Sequence, residues 1–415
     1  MKARPDFLDK DSPEGMEVYQ LTEGELPCSH IYMEAQIFTP DSRCFLLHQS
    51  ATAHGGNRQD PRHQYLVCDL DDGGRLRPLT TETSAWAPSV SPDGQWVYYF
   101  VDRSQPGAGT IELKRVKLDG TRRESLLVLD GPLPGTKKRV SRLYPLSTIS
   151  SDGQRLAISA FLGDGQSPNP PFGLLVFDLK QVSVRLILEG PSWCNMHSQY
   201  CRSLVPEESH DILIQENHGC VIRPDGSGQL LVGEPGADIH VIRDDGSDFR
   251  TMPWGRDGIE HCQGHQCWRG RTTWAITSTG TYWPKETGRE KENQLIEGQA
   301  CPDAGHLGLK TPNGRRNELS RNISRPGFWH FATDIAGERF IGDIYRSGQP
   351  AALCLARLGR PGVDPLLDYT YLCSSRSSYT KETHPHPFLS PDGRTGFFNS
   401  DESGLLQAYL IYLPR

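Results

Sequence analysis

The 415-residue chain contains no stretch approaching the ~18 apolar residues that a membrane helix requires, so no membrane partner is expected. It has no basic run of the kind that tracks a phosphate backbone. With a formal charge of −7, bulk attraction does not draw a polyanion, and nucleic acid is not expected as a partner. An anionic ligand would have to be held by residues of a local site. The start, Met1-Lys2-Ala3-Arg4-Pro5-Asp6-Phe7, lacks the apolar core and small-residue cleavage site of a secretory leader. The 11 cysteines are odd in number and scattered without regular pairing, which fits buried reduced thiols and a cytoplasmic location. A Gly-rich phosphate loop and a Gly-x-Ser-x-Gly nucleophile elbow are both missing, and Cys262 and Cys267 have no second pair at zinc-finger spacing.

What the chain does have is turns. Its 42 glycines and 31 prolines leave little room for long helices, while 36% hydrophobic residues suffice for a core. One turn signature recurs, as Thr39-Pro40-Asp41-Ser42, Ser91-Pro92-Asp93-Gly94, Ser150-Ser151-Asp152-Gly153 and Ser390-Pro391-Asp392-Gly393. Each copy is followed by an apolar, β-rich run, such as Trp96-Val97-Tyr98-Tyr99-Phe100 or Leu156-Ala157-Ile158-Ser159. Degenerate copies near Pro206-Glu207, Arg269-Gly270 and Ala336-Gly337 bring the total to seven units of roughly 50 to 65 residues, the period of a four-stranded propeller blade. The expectation is an all-β, seven-bladed propeller forming a single domain over residues 1–415. The early Val18-Tyr19-Gln20-Leu21-Thr22 would close the ring as the outer strand of the last blade, hiding an edge. Residues 284–328 break the rhythm and read as an insertion or long loop.

The innermost strand of a blade lines the central channel and leads into the signature turn, so counting back from the turn sorts side chains by level. His386 lies seven residues before Gly393, and His330 seven before Gly337. His197 falls at the same level if Cys201-Arg202 stands where Ser390-Pro391 stands, and His265 lands within a residue or two of it. Ala35, Ala87 and Leu146 hold the position in the first three units. Four neighbouring blades thus put histidine at one level of the channel wall. In His384-Pro385-His386 the two imidazoles, two residues apart on a strand, would share a face and, with His330, offer three nitrogens to an ion with open positions. Imidazole serves Zn, Fe, Ni and Mn alike. The plainer alternative is that Pro385 and Pro387 mark a rigid strand entry with exposed histidines.

These residues resemble oligogalacturonate lyase, a cytoplasmic seven-bladed propeller of pectin degradation. The resemblance is most specific in Thr383-His384-Pro385-His386-Pro387-Phe388-Leu389-Ser390-Pro391-Asp392-Gly393. It extends to Trp329-His330-Phe331-Ala332-Thr333-Asp334, Gly264-His265-Gln266-Cys267-Trp268, His197-Ser198-Gln199-Tyr200 and Glu216-Asn217-His218-Gly219. It implies β-elimination on a uronate-containing, anionic oligosaccharide. A divalent metal, typically manganese, would be held by His330, His384 and His386, and His265 would remove the C5 proton. The resemblance also implies that His197, Gln199, His218, Lys381 and Arg243 meet the substrate. Lys381 stands where the family has a metal-binding glutamine, and Arg243 lies near the segment that carries the family's charge-stabilising arginine. A non-catalytic propeller of the TolB kind, binding a protein or peptide across one face, is the competing reading, and an epimerase or hydrolase using the same ion is a third. The clustered histidines favour an enzyme, because a binding propeller has no need of them.

Overall fold

In a computed structural model of the chain, the described residues are all except 52–56, 234–235, 253–259, 282–292, 300–315, 320–327, 347–348, 381 and 415. Among them the regular structure is almost wholly strand, with short 3-10 turns at Pro5–Phe7 and Pro191–Trp193. No helix is long and apolar enough to cross a membrane.

Among the described residues most strands pair into seven antiparallel groups of four, with Lys2–Ala3 added outside the last group and the hairpin of Val221–Ile222 and Gly228–Leu230 standing apart, and the β-propeller expectation is borne out. The inner strands are Cys28–His30, Ala85–Val90, Arg142–Ile149, Gln199–Tyr200, Glu260–Trp268, Phe328–Thr333 and Phe388–Leu389. From each the chain steps outward through three further strands by antiparallel pairing, for example Arg155–Phe161, Phe172–Asp178 and Ser183–Gly190 in the third unit. In the last unit the outer strand comes from the N-terminal region. Glu17–Gln20 pairs antiparallel with Gln407–Tyr412, so the strand nearest the chain's end has a neighbour on its outer side. Within the segment expected to be an insertion, Asn293–Gln299 and Arg316–Glu318 are the third and fourth strands of the fifth sheet. Most of the remainder of 284–328 lies outside the described residues.

The signature turn has one physical design in four copies. A Ser or Thr hydroxyl donates to the Asp carboxylate two residues on: Thr39 to Asp41 and Ser91 to Asp93 at 2.5 Å, Ser150 to Asp152 at 2.5 Å, and Ser390 to Asp392 at 2.6 Å. The same carboxylate accepts the backbone N–H two positions later, from Arg43, Gln95, Gln154 and Arg394. The turn is thereby closed by side chains the local sequence supplies, which is why it reads so clearly. The fourth unit departs from the pattern, with residues 202–210 spanning the connection that four residues make elsewhere. The fifth uses Arg269, whose buried guanidinium pairs with Glu297 at 2.6 Å and donates to the Gly337 carbonyl in the sixth unit's turn at 2.7 Å.

Apolar faces of adjacent sheets fill the gaps between them. Leu46, Val67, Val97 and Tyr99 pack in one such layer, and Phe100, Leu156, Ile158, Leu175 and Phe177 in the next, all essentially without solvent exposure. This packing, at roughly 25 cal/mol per Å² of apolar surface removed from water, holds the sheets rigidly around the channel.

Candidate active site in the central channel

Backbone hydrogen bonds define the channel register. The residue that opens each turn donates its N–H to the first residue of the following strand. These pairs are Thr39 with Cys44, Ser91 with Trp96, Ser150 with Arg155, Cys201 with Asp211, Arg269 with Trp274, Asp334 with Arg339, and Ser390 with Thr395. Four residues before each opener stand Ala35, Ala87, Leu146, His197, His265, His330 and His386. The position coincides with an irregularity in the inner strand. Pairing skips between Trp86 and Ser89, Leu143 and Ser147, Cys262 and Gln266, and Phe328 and Phe331. Ala87, His197 and His386 take φ of 49°, 51° and 44°, and in the fifth unit Gly264 takes 92° just before His265. A bulge of this kind re-aims a side chain. The simple strand alternation expected for His384 and His386 therefore does not operate: they precede the short ladder of Phe388–Leu389, and the left-handed turn at His386 directs its ring.

The first halves of the inner strands and the residues just before them surround a cavity of about 550 Å³, lined among others by His197, His265, His330, His384 and His386. The His330 ring centre lies 5.0 Å from that of His384 and 4.4 Å from that of His386, and the latter two are 5.6 Å apart. Donor nitrogens of the three all fall within 4.8 Å of one another. His330 and His386 are buried and His384 is partly open. Three neutral nitrogen donors leaving further positions to solvent or ligand suit a divalent ion with exchangeable sites. His330 is held from behind. Asp343 accepts its backbone N–H at 2.8 Å and its Nδ1–H at 2.9 Å, which leaves Nε2 free to ligate. The Tyr379 ring stacks on His384 at 4.6 Å.

His265 stands beside this group, its ring 4.7 Å from His330. Burial, reinforced by the nearby imidazoles of His330, His197 and His384, pushes its pKa well below 6.5. It is therefore unprotonated at neutral pH, with a lone pair available to accept a proton. Its Nδ1 is buried and makes no hydrogen bond among the described residues.

Across the cavity His197 joins two partners. Its Nδ1 is 2.9 Å from Glu34 and its Nε2 is 3.1 Å from the Tyr144 hydroxyl, which donates to Asn195 at 2.7 Å. Burial raises the Glu34 carboxyl above its usual range, against the opposing pull of His197. Burial also keeps the phenols of Tyr32 and Tyr144 protonated. A further wall is aromatic and imidazole: Tyr65, Trp86, and the pair His48 and His63, whose nitrogens approach to 3.1 Å. Inner-strand ends at Ile149, Thr333 and Leu389, with Ala35 and Arg202 beyond the inner strands of their units, line a separate cavity of about 380 Å³.

Three of the residues expected to meet substrate do not line the histidine cavity. Gln199 is buried in packing, donating from Nε2 to the Gln266 carbonyl at 2.9 Å. His218 sits on the other face of its strand from Gln215, with Nε2 2.7 Å from Asp238. Arg243 is at the far end of its strand, donating to the Glu207 carbonyl at 2.7 Å. Strand alternation and strand direction exclude them, since one step along a strand reverses the face. Lys381 lies outside the described residues. The residues that sequence reasoning missed, Glu34, Tyr144, Asp343 and Tyr379, carry no motif. Only Tyr379, five residues before His384, lies close enough in sequence to have been suspected.

No protein-family model matches the chain, and no curated protein matches it. Solved structures do. The chain is similar to an oligogalacturonate lyase in complex with manganese, with TM-score 0.68 and 20% identity over 98% of this chain and 96% of that one. It is likewise similar to the oligogalacturonate lyase of Vibrio parahaemolyticus, with TM-score 0.69 and 17% identity over the same shares. Against a prolyl endopeptidase structure the TM-score is 0.51 at 10% identity, over 94% of this chain and 50% of that one. Likeness at these identities establishes a fold, and the fold is the β-propeller that the oligogalacturonate lyase structures share over their full length.

Proposed function

We propose that the protein is a metal-dependent lyase that cleaves uronate-containing oligosaccharides by β-elimination. The observation that carries this reading is the meeting, in one cavity, of the three-imidazole group His330, His384 and His386 with an unprotonated fourth imidazole, His265. The full-length likeness to oligogalacturonate lyase structures, one of them a manganese complex, supports it.

The three imidazoles would hold a divalent ion, with manganese the favoured identity. Such an ion supplies a positive charge at the uronate carboxylate, making the adjacent C5 proton acidic enough for imidazole and stabilising the enediolate charge that follows. Asp343 fixes the tautomer and direction of His330. His265 accepts the C5 proton, and as electrons move to form the C4–C5 double bond, the C4–O bond breaks. The departing oxygen takes a proton from the Tyr144 hydroxyl, which His197, backed by Glu34, reprotonates. Tyr32, Tyr65, Trp86 and Trp329 offer ring faces of the kind on which sugar rings stack. No water is consumed, which agrees with a site walled by aromatic side chains.

The test is incubation of purified protein with manganese and oligogalacturonides while ultraviolet absorbance is followed for the conjugated double bond. Absorbance should rise with time. No rise with several different uronates, in protein shown to contain metal, overturns the lyase reading.

A further inference from the structure

The fourth sheet carries a second set of metal-donor side chains that the channel does not use. Its strands Asp211–Asn217 and Ala237–Arg243 pair antiparallel, with Glu216 opposite Asp238 and Ile214 opposite His240. Alternation therefore places Ile212, Ile214 and Glu216 on one face together with Asp238, His240 and Ile242. The lower part of this face is ordinary core, where Ile212, Ile214 and Ile242 pack with Ala157, Leu174 and Val176 of the third sheet. At the upper end the face changes character. Two acid-x-His pairs, Glu216-Asn217-His218 and Asp238-Ile239-His240, confront each other across the ladder. Gln215, one residue from Glu216, lines the histidine cavity, so this group lies on the opposite side of the sheet.

Burying two carboxylates and two imidazoles at the edge of an apolar layer is costly unless they answer one another or a ligand. Donor atoms of Glu216, Asp238 and His240 all lie within 4.8 Å of one another. His218 lies beside this group, its Nε2 2.7 Å from Asp238 Oδ2. The side chains of His240 and Asp238 are 1% and 4% exposed, while those of Glu216 and His218 are 19% and 33% exposed, giving a closed floor and an open side for entry. The donors are oriented from behind. Ser192 donates to Glu216 Oε1 at 2.6 Å, and Thr251 Oγ1 lies 2.8 Å from His240 Nδ1, which turns His240 Nε2 toward Glu216 at 3.2 Å. Trp193 and Phe249 flank the His240 ring at 5.5 and 4.8 Å. Paired donors, partners behind them and an apolar surround are the elements of a metal site.

We propose that Glu216, Asp238 and His240, with His218 as fourth donor, form a second divalent-cation site, independent of the channel. Two carboxylates supply the charge that balances a divalent ion, and mixed imidazole and carboxylate donors at fourfold coordination favour zinc. Through Ser192 the site ties down the segment that leads into His197. It does not depend on the lyase reading.

The experiment uses the full chain, stripped with chelator and titrated with Zn²⁺ alone, with bound zinc counted by elemental analysis. A His384→Ala/His386→Ala variant, which disables the channel group, should bind one zinc per chain. Adding Asp238→Asn and His240→Ala should reduce that to none. In the otherwise unaltered protein, Asp238→Asn alone should lower the count by one, and Glu216→Gln should weaken that ion's binding at least tenfold. The proposal is overturned if the channel-disabled protein, folded by circular dichroism, binds no zinc. It is equally overturned if its zinc survives Asp238→Asn/His240→Ala, or if Asp238→Asn leaves the count in the unaltered chain unchanged. A failed elimination assay would leave all of these readings intact.

Discussion

Asp343 grips His330 twice, taking its backbone N–H at 2.8 Å on one carboxylate oxygen and its ring Nδ1–H at 2.9 Å on the other. The residue that presents a nitrogen to the three-imidazole group is thus fixed in position and tautomer by one fully buried carboxylate. An asparagine there has a single oxygen for two donors. Asp343→Asn should lower manganese affinity by about 10- to 100-fold while strand pairing survives. Manganese titration beside far-ultraviolet circular dichroism checks it, and unchanged affinity would show that His330 needs no such support.

His265→Ala removes the proposed base without touching the three-imidazole group. Elimination should fall by about 10²- to 10⁴-fold, with manganese content unchanged. If the metal is lost instead, His265 is a ligand and one of the other imidazoles is the base.

Arg269 and Glu297 form an ion pair at 2.6 Å with side chains 3% and 0% exposed, at a turn where four of the other units use serine or threonine and aspartate. Arg269→Leu strips the buried carboxylate of its guanidinium and the Gly337 carbonyl of a donor. The expected loss is about 3–5 kcal/mol, the usual cost of breaking a buried ion pair by removing one of its members. Urea unfolding measures it, and a loss below about 1 kcal/mol would mean that water reaches Glu297.

The N-terminal strand is pinned near the last sheet by Arg4, which pairs with Asp6 at 2.8 Å and Glu402 at 2.5 Å. The hydrogen bond from Arg4 holds the Glu402 carboxyl below its ordinary 4.5, and Asp6 is likewise held low, chiefly by Arg4. A depressed folded-state pKa gives stability that is fully present above the unfolded value and is lost as pH falls through the folded one. Amide exchange in Glu17–Gln20 should therefore be slow at pH 7 and, after correction for intrinsic rates, accelerate below about pH 4.5. Glu402→Gln should flatten that dependence. Equal pH dependence in both proteins would remove Glu402 from the account.

Much of this molecule was legible before any coordinates. The turns at Ser91, Ser150 and Ser390 close on their own side chains, so their sequence suffices to announce them, and the apolar runs that follow can only be strands. The level of His330 and His386 followed by counting. The fifth unit is harder, because Arg269 stands where four other units have the hydroxyl that marks the turn. Only the Arg269–Trp274 hydrogen bond shows that His265 stands at the same level as the others. The third and fourth strands of that unit fall within the segment where the sequence suggests an insertion, since no turn signature introduces Asn293–Gln299.

What the order of residues determined by itself is local: the repeat, the all-β character and the column of histidines, since hydrogen bonds two to five residues apart and a two-residue side-chain period generate them. What only the tertiary structure decided is which groups stand behind those histidines and which faces the strands present. Glu34 reaches His197 across 163 residues of chain, and Tyr144 reaches it across 53. Gln199 and His218, close in sequence to cavity residues, turn away. Contacts between sheets depend on how bulged strands are aimed when whole blades pack together, and no neighbouring residue along the chain carries that information.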